Sequence, residues 1–284
     1  MSNQKSTAQA KAGRIILKAL MYIVLIIACL IVIIPILYII LGAFKTDKEL
    51  VRTNAFALPE HFSFDNFKTA LEKGNMVKGF INTAILIVVS CVGTIFTGTM
   101  TAFVIQRFKT TLSKIIKVSF LVAVLLPNIS MQVTVYQIVS KMGLVGTIWA
   151  PIILFVGTDI ISIQIFLQFL SQIPVSLDES GIVDGASYPR IYFSIILPNL
   201  KPAIATVLII KFISVYNDFY TPKLYMADDQ PVVSTVLLNI MNNTTVKYPE
   251  VFAGVIFCII PTLIIFLFLQ KYIYSGLVSG AVKE

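Results

Sequence analysis

The sequence predicts an all-α integral membrane protein: six transmembrane helices, with a cytoplasmic helix-turn-helix between the fourth and the fifth. Three observations predict it. Only 13% of the 284 residues are charged and 57% are hydrophobic, whereas soluble domains carry about a quarter charged residues. The apolar residues gather into runs of bilayer-crossing length, about 20 residues each. The basic residues, finally, are spread unevenly over the segments that separate those runs.

Residues 1–18 form a polar N-terminal segment with Lys5, Lys11, Arg14 and Lys18. The run Ala19 to Phe44 carries no charge. A cleaved secretory core is about 7–15 residues long, so this longer run is expected to remain as a span, tilted or kinked at Pro35. A mixed-charge loop, 45–78, holds the single histidine, His61. In the second span, 79–106, the residues Ser90, Thr94, Gly98 and Ala102 recur every four positions. Such a small-residue face lets helix backbones approach closely in lipid, although small residues are common enough in spans for the pattern to arise by chance.

Arg107 to Lys117 is a short basic loop, and the third span, 118–140, contains Pro127-Asn128. Lys141 to Gly146 leads to a fourth span, 147–170, with a lone Asp159. The segment 174–202 is a polar interruption. Ser176 and Glu179 have capping-box spacing, Asp184-Gly185 supplies a turn, Ser187 is placed to cap a second helix, and Leu197-Pro198 to end it. The fifth span, 203–220, is followed by a polar loop, 221–250, and a sixth span, 251–270. The membrane domain is therefore a single bundle over 19–270, with a tail at 271–284 and no separate soluble domain.

Charge sets the orientation. The termini, the 107–117 loop and the 174–202 knob carry 12 basic and 4 acidic residues; the opposite loops carry 9 and 8. Basic residues near span ends stay cytoplasmic, which puts both termini and the knob in the cytosol. The net charge of +8 is accounted for by topology and requires no nucleic-acid partner. Cys29, Cys91 and Cys258 all lie in apolar runs, which suggests neither a disulfide framework nor a metal cluster.

Candidate chemistry is sparse. The chain has no phosphate-binding G-x-x-x-x-G-K-[ST] loop, no H-E-x-x-H and no C-x-x-C. An intramembrane aspartyl enzyme would need Asp159 and Asp218 to meet, and they lie on different helices. Intramembrane charge is costly and usually faces a cavity or a partner. Lys211 and Asp218 are two turns apart and share a face if the helix is continuous. Tyr216, Asn217 and Tyr220 add hydrogen-bonding groups beside them. Two readings fit: a polar translocation path lined by the fourth and fifth spans, or a structural pair in which Asp218 caps a break near Pro222 and Lys211 pairs with another helix. Aromatic rings beside polar groups suit sugars, but Tyr is also frequent at membrane interfaces.

Glu179, the Asp184-Gly185-Ala186 triplet, Ile196-Leu197-Pro198 and Pro202 together resemble the cytoplasmic EAA loop of permease subunits of binding-protein-dependent ABC importers. Ser180 and Gly181 stand where that pattern has two alanines; both are small, and Gly181 loosens the first helix. Tyr216-Asn217-Asp218-Phe219, Lys141-Met142-Gly143-Leu144, Phe62-Ser63-Phe64-Asp65-Asn66-Phe67 and the tail from Gln270 through Gly276 to Lys283 extend the likeness over most of the chain. It is similar to the smaller permease of maltose and multiple-sugar importers.

That resemblance implies a non-enzymatic transport subunit of the bacterial or archaeal cytoplasmic membrane. Its implied partners are membrane lipid, a second homologous permease chain, two copies of a cytosolic ATPase and an extracytoplasmic sugar-binding protein. ATP and Mg would be bound by the ATPase, with no cofactor in this chain. Glu179, Ser180, Gly181, Asp184, Gly185, Ala186, Leu197 and Pro198 become the expected ATPase-coupling residues. Asp159, Lys211, Tyr216, Asn217, Asp218 and Tyr220 become the expected substrate path. The alternatives are a permease of the same architecture for a glycerophosphodiester or an amino acid, and a non-transporting membrane sensor, which would not need the knob.

Overall fold

The computed structural model describes the backbone at 2–126, 128–157, 159–241 and 247–281, and side chains from 14 to 270 except 73, 127, 128, 158, 242–246 and 269. Pro127 and the side chains of the 271–283 tail signature lie outside the described residues. The described residues are helical, with no strand among them beyond an isolated bridge between Gly146 and Met226. The chain divides into two compact units, 1–72 with 240–257, and 73–239 with 258–284.

In the first unit, α1 (Ser2–Ala43) runs through Pro35. Its apolar stretch Arg14–Ala43 is 30 residues long, and side chains from Arg14 to Leu37 are exposed. The loop expected at 45–78 is partly helical. In α2 (Asp47–Arg52), Thr46 accepts the Glu49 amide while Glu49 accepts the Thr46 amide, a complete capping box. Asn66, in the first turn of α3 (Asp65–Lys73), donates its side-chain amide to the carbonyls of Ala43 and Lys45, both at 2.8 Å. Around it, Phe44 packs on Phe62, Phe64 and Phe67 with ring centres 5.0–5.6 Å apart. The Phe62–Phe67 motif is thus the ordered plug on the end of α1.

The second unit is built on α4 (Met76–Arg107), an unbroken helix of 32 residues. Ser90, Thr94, Gly98 and Ala102 are all buried. A Cβ on Gly98 would lie 3.0 Å from the Phe166 ring, and one on Gly93 would lie 2.6 Å from Val156. The small-residue face is therefore where α7 (Trp149–Gly157) and α8 (Ile160–Leu170) come close, and it is a packing surface. Ala102, Phe103, Phe166, Leu170, Ile191, Ile196 and Val207 form the principal core.

Three expected spans depart from the single rods read from hydropathy. The third begins earlier and is a bent pair, α5 (Thr111–Leu125) and α6 (Asn128–Lys141), at 115°. Leu126 precedes a proline in sequence and is extended, as the clash with a proline ring favours. The fourth is interrupted, with Asp159 capping α8. Between α9 (Ser176–Val183) and α12 (Lys201–Asn217) lie α10 (Tyr188–Ile191), a π turn at Tyr192–Ile196 and α11 (Leu197–Asn199). Tyr188–Asn199 meets α12 at 71°. By length and composition four helices can cross a membrane, or up to six if each bent pair is one span. The loop expected at 221–250 contains α13 (Tyr220–Tyr225) and α14 (Val233–Met241), before α15 (Tyr248–Ala281).

Candidate functional site

The 174–202 segment contains α9, a turn at Asp184-Gly185 and the four-residue α10, with ends made differently from the pattern read in the sequence. Val175 is already helical when the chain enters α9, and it makes no side-chain cap. Ser176 therefore lies inside the helix, where its carbonyl accepts the Ser180 hydroxyl at 2.8 Å, and the Ser176/Glu179 capping box does not form. Pro174, whose carbonyl accepts the Leu177 amide, already starts the turn that Ser176 was expected to start. Ser187 stands at the cap of α10 with extended backbone but without a side-chain hydrogen bond.

The turn is a Schellman closure. Ala186 donates its amide to Gly181 and Gly185 donates to Ile182, both at 2.9 Å; this pair of bonds satisfies the last carbonyls of a helix. Gly185 has φ +77°, the left-handed conformation that glycine takes without steric cost. Gly181 is buried, and a Cβ there would stand 3.1 Å from Ile191 and 3.2 Å from Ile195. Its smallness lets the two short helices touch. Leu197-Pro198 does not stop the second helix: the Leu197 amide reaches back to Tyr192, and the wider π turn fits a proline that has no amide to donate. The chain bends only at Leu200.

Sequence reasoning missed the residues that seat this knob. Asp178, in the first turn of α9, pairs with Arg107 of α4 at 2.5 Å, both side chains under a tenth exposed. Arg107 also donates to the Ile173 carbonyl at 3.1 Å. A cation in the last turn of one helix and an anion in the first turn of another each complement a helix dipole. Tyr192 and Thr99 share a hydrogen bond of 2.6 Å, and Tyr188 packs on Phe108. The available signal was an Arg ending an apolar helix and an Asp opening a polar one, but pairing them requires the fold. The opposite face of the knob is open: Glu179, Ser180 and Asp184 are exposed, as are Leu177, Ile182 and Val183, the last at 86%.

The intramembrane residues fall into two groups. Asp159 and Lys211 meet at 2.9 Å, and the Lys211 ammonium also donates to the Phe155 carbonyl. Asp159 in turn accepts the Ser162 amide at 3.1 Å. One ammonium thus sits at the carbonyl end of α7 and one carboxylate at the amide end of α8, so the pair neutralises both sides of the break. Asp218 is not on the helical face of Lys211: α12 ends at Asn217, and Asp218 is extended. It accepts the Thr221 amide and hydroxyl at 2.9 and 2.7 Å, opening α13. Tyr216 is buried and donates its hydroxyl to the Cys258 carbonyl at 2.7 Å. Asn217 and Tyr220 are exposed.

The family model described as binding-protein-dependent transport system inner membrane component matches residues 94–278. The chain is 31% identical to a probable starch degradation products transport system permease protein, AmyC, of Thermoanaerobacterium thermosulfurigenes, over 88% of this chain and 91% of the relative. It is 29% identical to the galactooligosaccharides transport system permease protein GanQ of Bacillus subtilis, over 97% and 99%. It is 30% identical to the melibiose/raffinose/stachyose import permease protein MelC of the same species, over 81% and 85%. A chain in the crystal structure of a bacterial ABC transporter involved in the import of the acidic polysaccharide alginate has the same fold, with TM-score 0.80 at 18% identity over 90% of this chain and 96% of that one.

Proposed function

Because the chain belongs to the family of binding-protein-dependent transport system inner membrane components, we propose that it is a permease subunit carrying a sugar or oligosaccharide inward in an ATP-driven importer. It is a transport subunit, not an enzyme. The relatives named for starch products, galactooligosaccharides and melibiose favour carbohydrate over a phosphodiester or an amino acid. Its assembly contains a second, homologous permease, two copies of a cytosolic ATPase that bind ATP and Mg, and an extracytoplasmic binding protein. The chain crosses the membrane six times, each bent pair counting as one span, with both termini inside the cell.

The observation that carries the mechanism is the two-faced knob. Its inner face is fixed by the Arg107–Asp178 pair and the Tyr192–Thr99 bond. Its outer face presents Val183, Ile182 and Leu177 beside Glu179 and Asp184. Apolar side chains clustered at a polar tip mark a surface that docks on protein. In this reading the tip sits in a groove of one ATPase subunit, and closure of the ATPase dimer drives alternating access through it. Asp159 and Lys211 brace the wall of the path, Tyr216 and Asp218 hold its outer end, and Asn217 and Tyr220 face the solute. Purification of the tagged chain from its native membrane tests the assignment: an ATPase and a second permease should copurify, and recovery of the chain alone under conditions that preserve membrane complexes would refute it.

A further inference from the structure

The knob packs in a core shared with α8 and α12, the helices that flank it in sequence, and with α4. It is fastened to the C-terminal third of α4, through Thr99 and Arg107. The other end of the same helix is fastened just as specifically to a distant segment. Asn82 donates its side-chain amide to the Pro231 carbonyl at 2.8 Å, and the Thr83 hydroxyl accepts the Val233 amide at 2.9 Å. Lys78 donates to the Asp229 carbonyl. A Cβ on Gly79 would lie 2.7 Å from Val236, so backbone and helix are in close contact there. Between these two grips α4 contains no proline and no break. Its 32 residues make a rod of about 48 Å, longer than the hydrocarbon core of a bilayer, about 30 Å.

We infer that α4 is the transmission rod of the subunit, coupling the 174–202 knob to the 229–236 segment on the opposite face, with Asn82 and Thr83 as the positioning residues of the far grip. The Val233 amide opens α14, where the first amides have no acceptor within the helix. A rigid element held at both ends moves both ends together. The segment at the far grip belongs to the 221–250 loop, which the importer reading puts outside the cell, on the side of the binding protein, and the inference rests on that reading.

Hydrogen–deuterium exchange on the assembled complex, with and without ATP and Mg, tests it. In the unaltered complex, ATP should change exchange both in the knob, 176–190, and in 229–236. In Asn82→Ala/Thr83→Val the knob should still respond, while the response of 229–236 falls about fivefold or more, as for loss of a typical coupling between sites. Asn82→Ala/Thr83→Ser retains the acceptor oxygen and should recover most of the response, which a purely steric role of Thr83 would not produce. Should the double variant not assemble, the nearly isosteric Thr83→Val alone gives the same reading. A full response of 229–236 in the Val variant, or none in the unaltered complex while the knob responds, overturns the inference. A knob that ignores ATP in the unaltered complex overturns the importer reading instead.

Discussion

Lys211 grips two things at once, the Asp159 carboxylate and the end of α7. A buried pair of this kind gives little net stability when intact, yet removing one partner leaves an uncompensated charge and costs about 3–5 kcal/mol. Lys211→Met should therefore lower resistance to unfolding in detergent by that order, and Lys211→Met/Asp159→Asn should recover most of it. A double variant as weak as the single would show that the pair is not the source. Gly185 behaves differently. Nothing lies within 4 Å of a Cβ built there, so a side chain meets no core, and the cost comes from the left-handed backbone, about 1–2 kcal/mol, and from bulk added to the exposed face of the knob. Gly185→Asn, which tolerates that backbone, should keep uptake. Gly185→Arg should abolish uptake and stimulated ATP hydrolysis while the protein stays inserted. Normal uptake by an inserted Gly185→Arg chain would argue against docking.

Among the elements, α4 and α9 show what a sequence can and cannot reveal. The four-residue recurrence from Ser90 to Ala102 was legible because helical period alone decides which side chains share a face. Its partner, Phe166, was not, because a period does not say what will come to rest against it. Gly98→Leu should accordingly destabilise the subunit by about 1–3 kcal/mol through overpacking, read as a lower midpoint in thermal unfolding of the purified protein; an unchanged midpoint would mean that α4 and α8 separate easily. The S/T-x-x-E pattern is instructive in the same way. At Thr46 and Glu49 it builds a capping box; at Ser176 and Glu179, four residues of the same type, it does not. A proline two residues upstream of Ser176 starts the turn early and draws the serine into the helix. The break at Asp159 was equally hidden, since a lone acid in an apolar run reads as a buried charge and not as the cap that it becomes.

For the whole molecule, membrane class was legible because it follows from a summed quantity, apolar length, that does not depend on contacts. Bends were not, since the 71° turn at Leu200 and the 115° bend between α5 and α6 depend on where prolines fall relative to packing. The division into two units also has no sequence linker to announce it. Orientation can be checked directly. Val183→Cys should react with a membrane-impermeant maleimide only in inside-out vesicles, and Asp229→Cys only in intact cells; labelling on the reverse sides would overturn the importer assignment.

The Arg107–Asp178 clasp and the Schellman closure mean that the knob is already ordered within the chain itself. Loops that order only on association spend part of their interaction free energy on losing conformational freedom, about 0.5–1.5 kcal/mol for each immobilised side chain. A tip already fixed on both flanks escapes most of that loss. On the proposed docking, an ATPase subunit would let go and rebind in successive cycles without refolding its attachment point, and the interface could remain small without becoming slow.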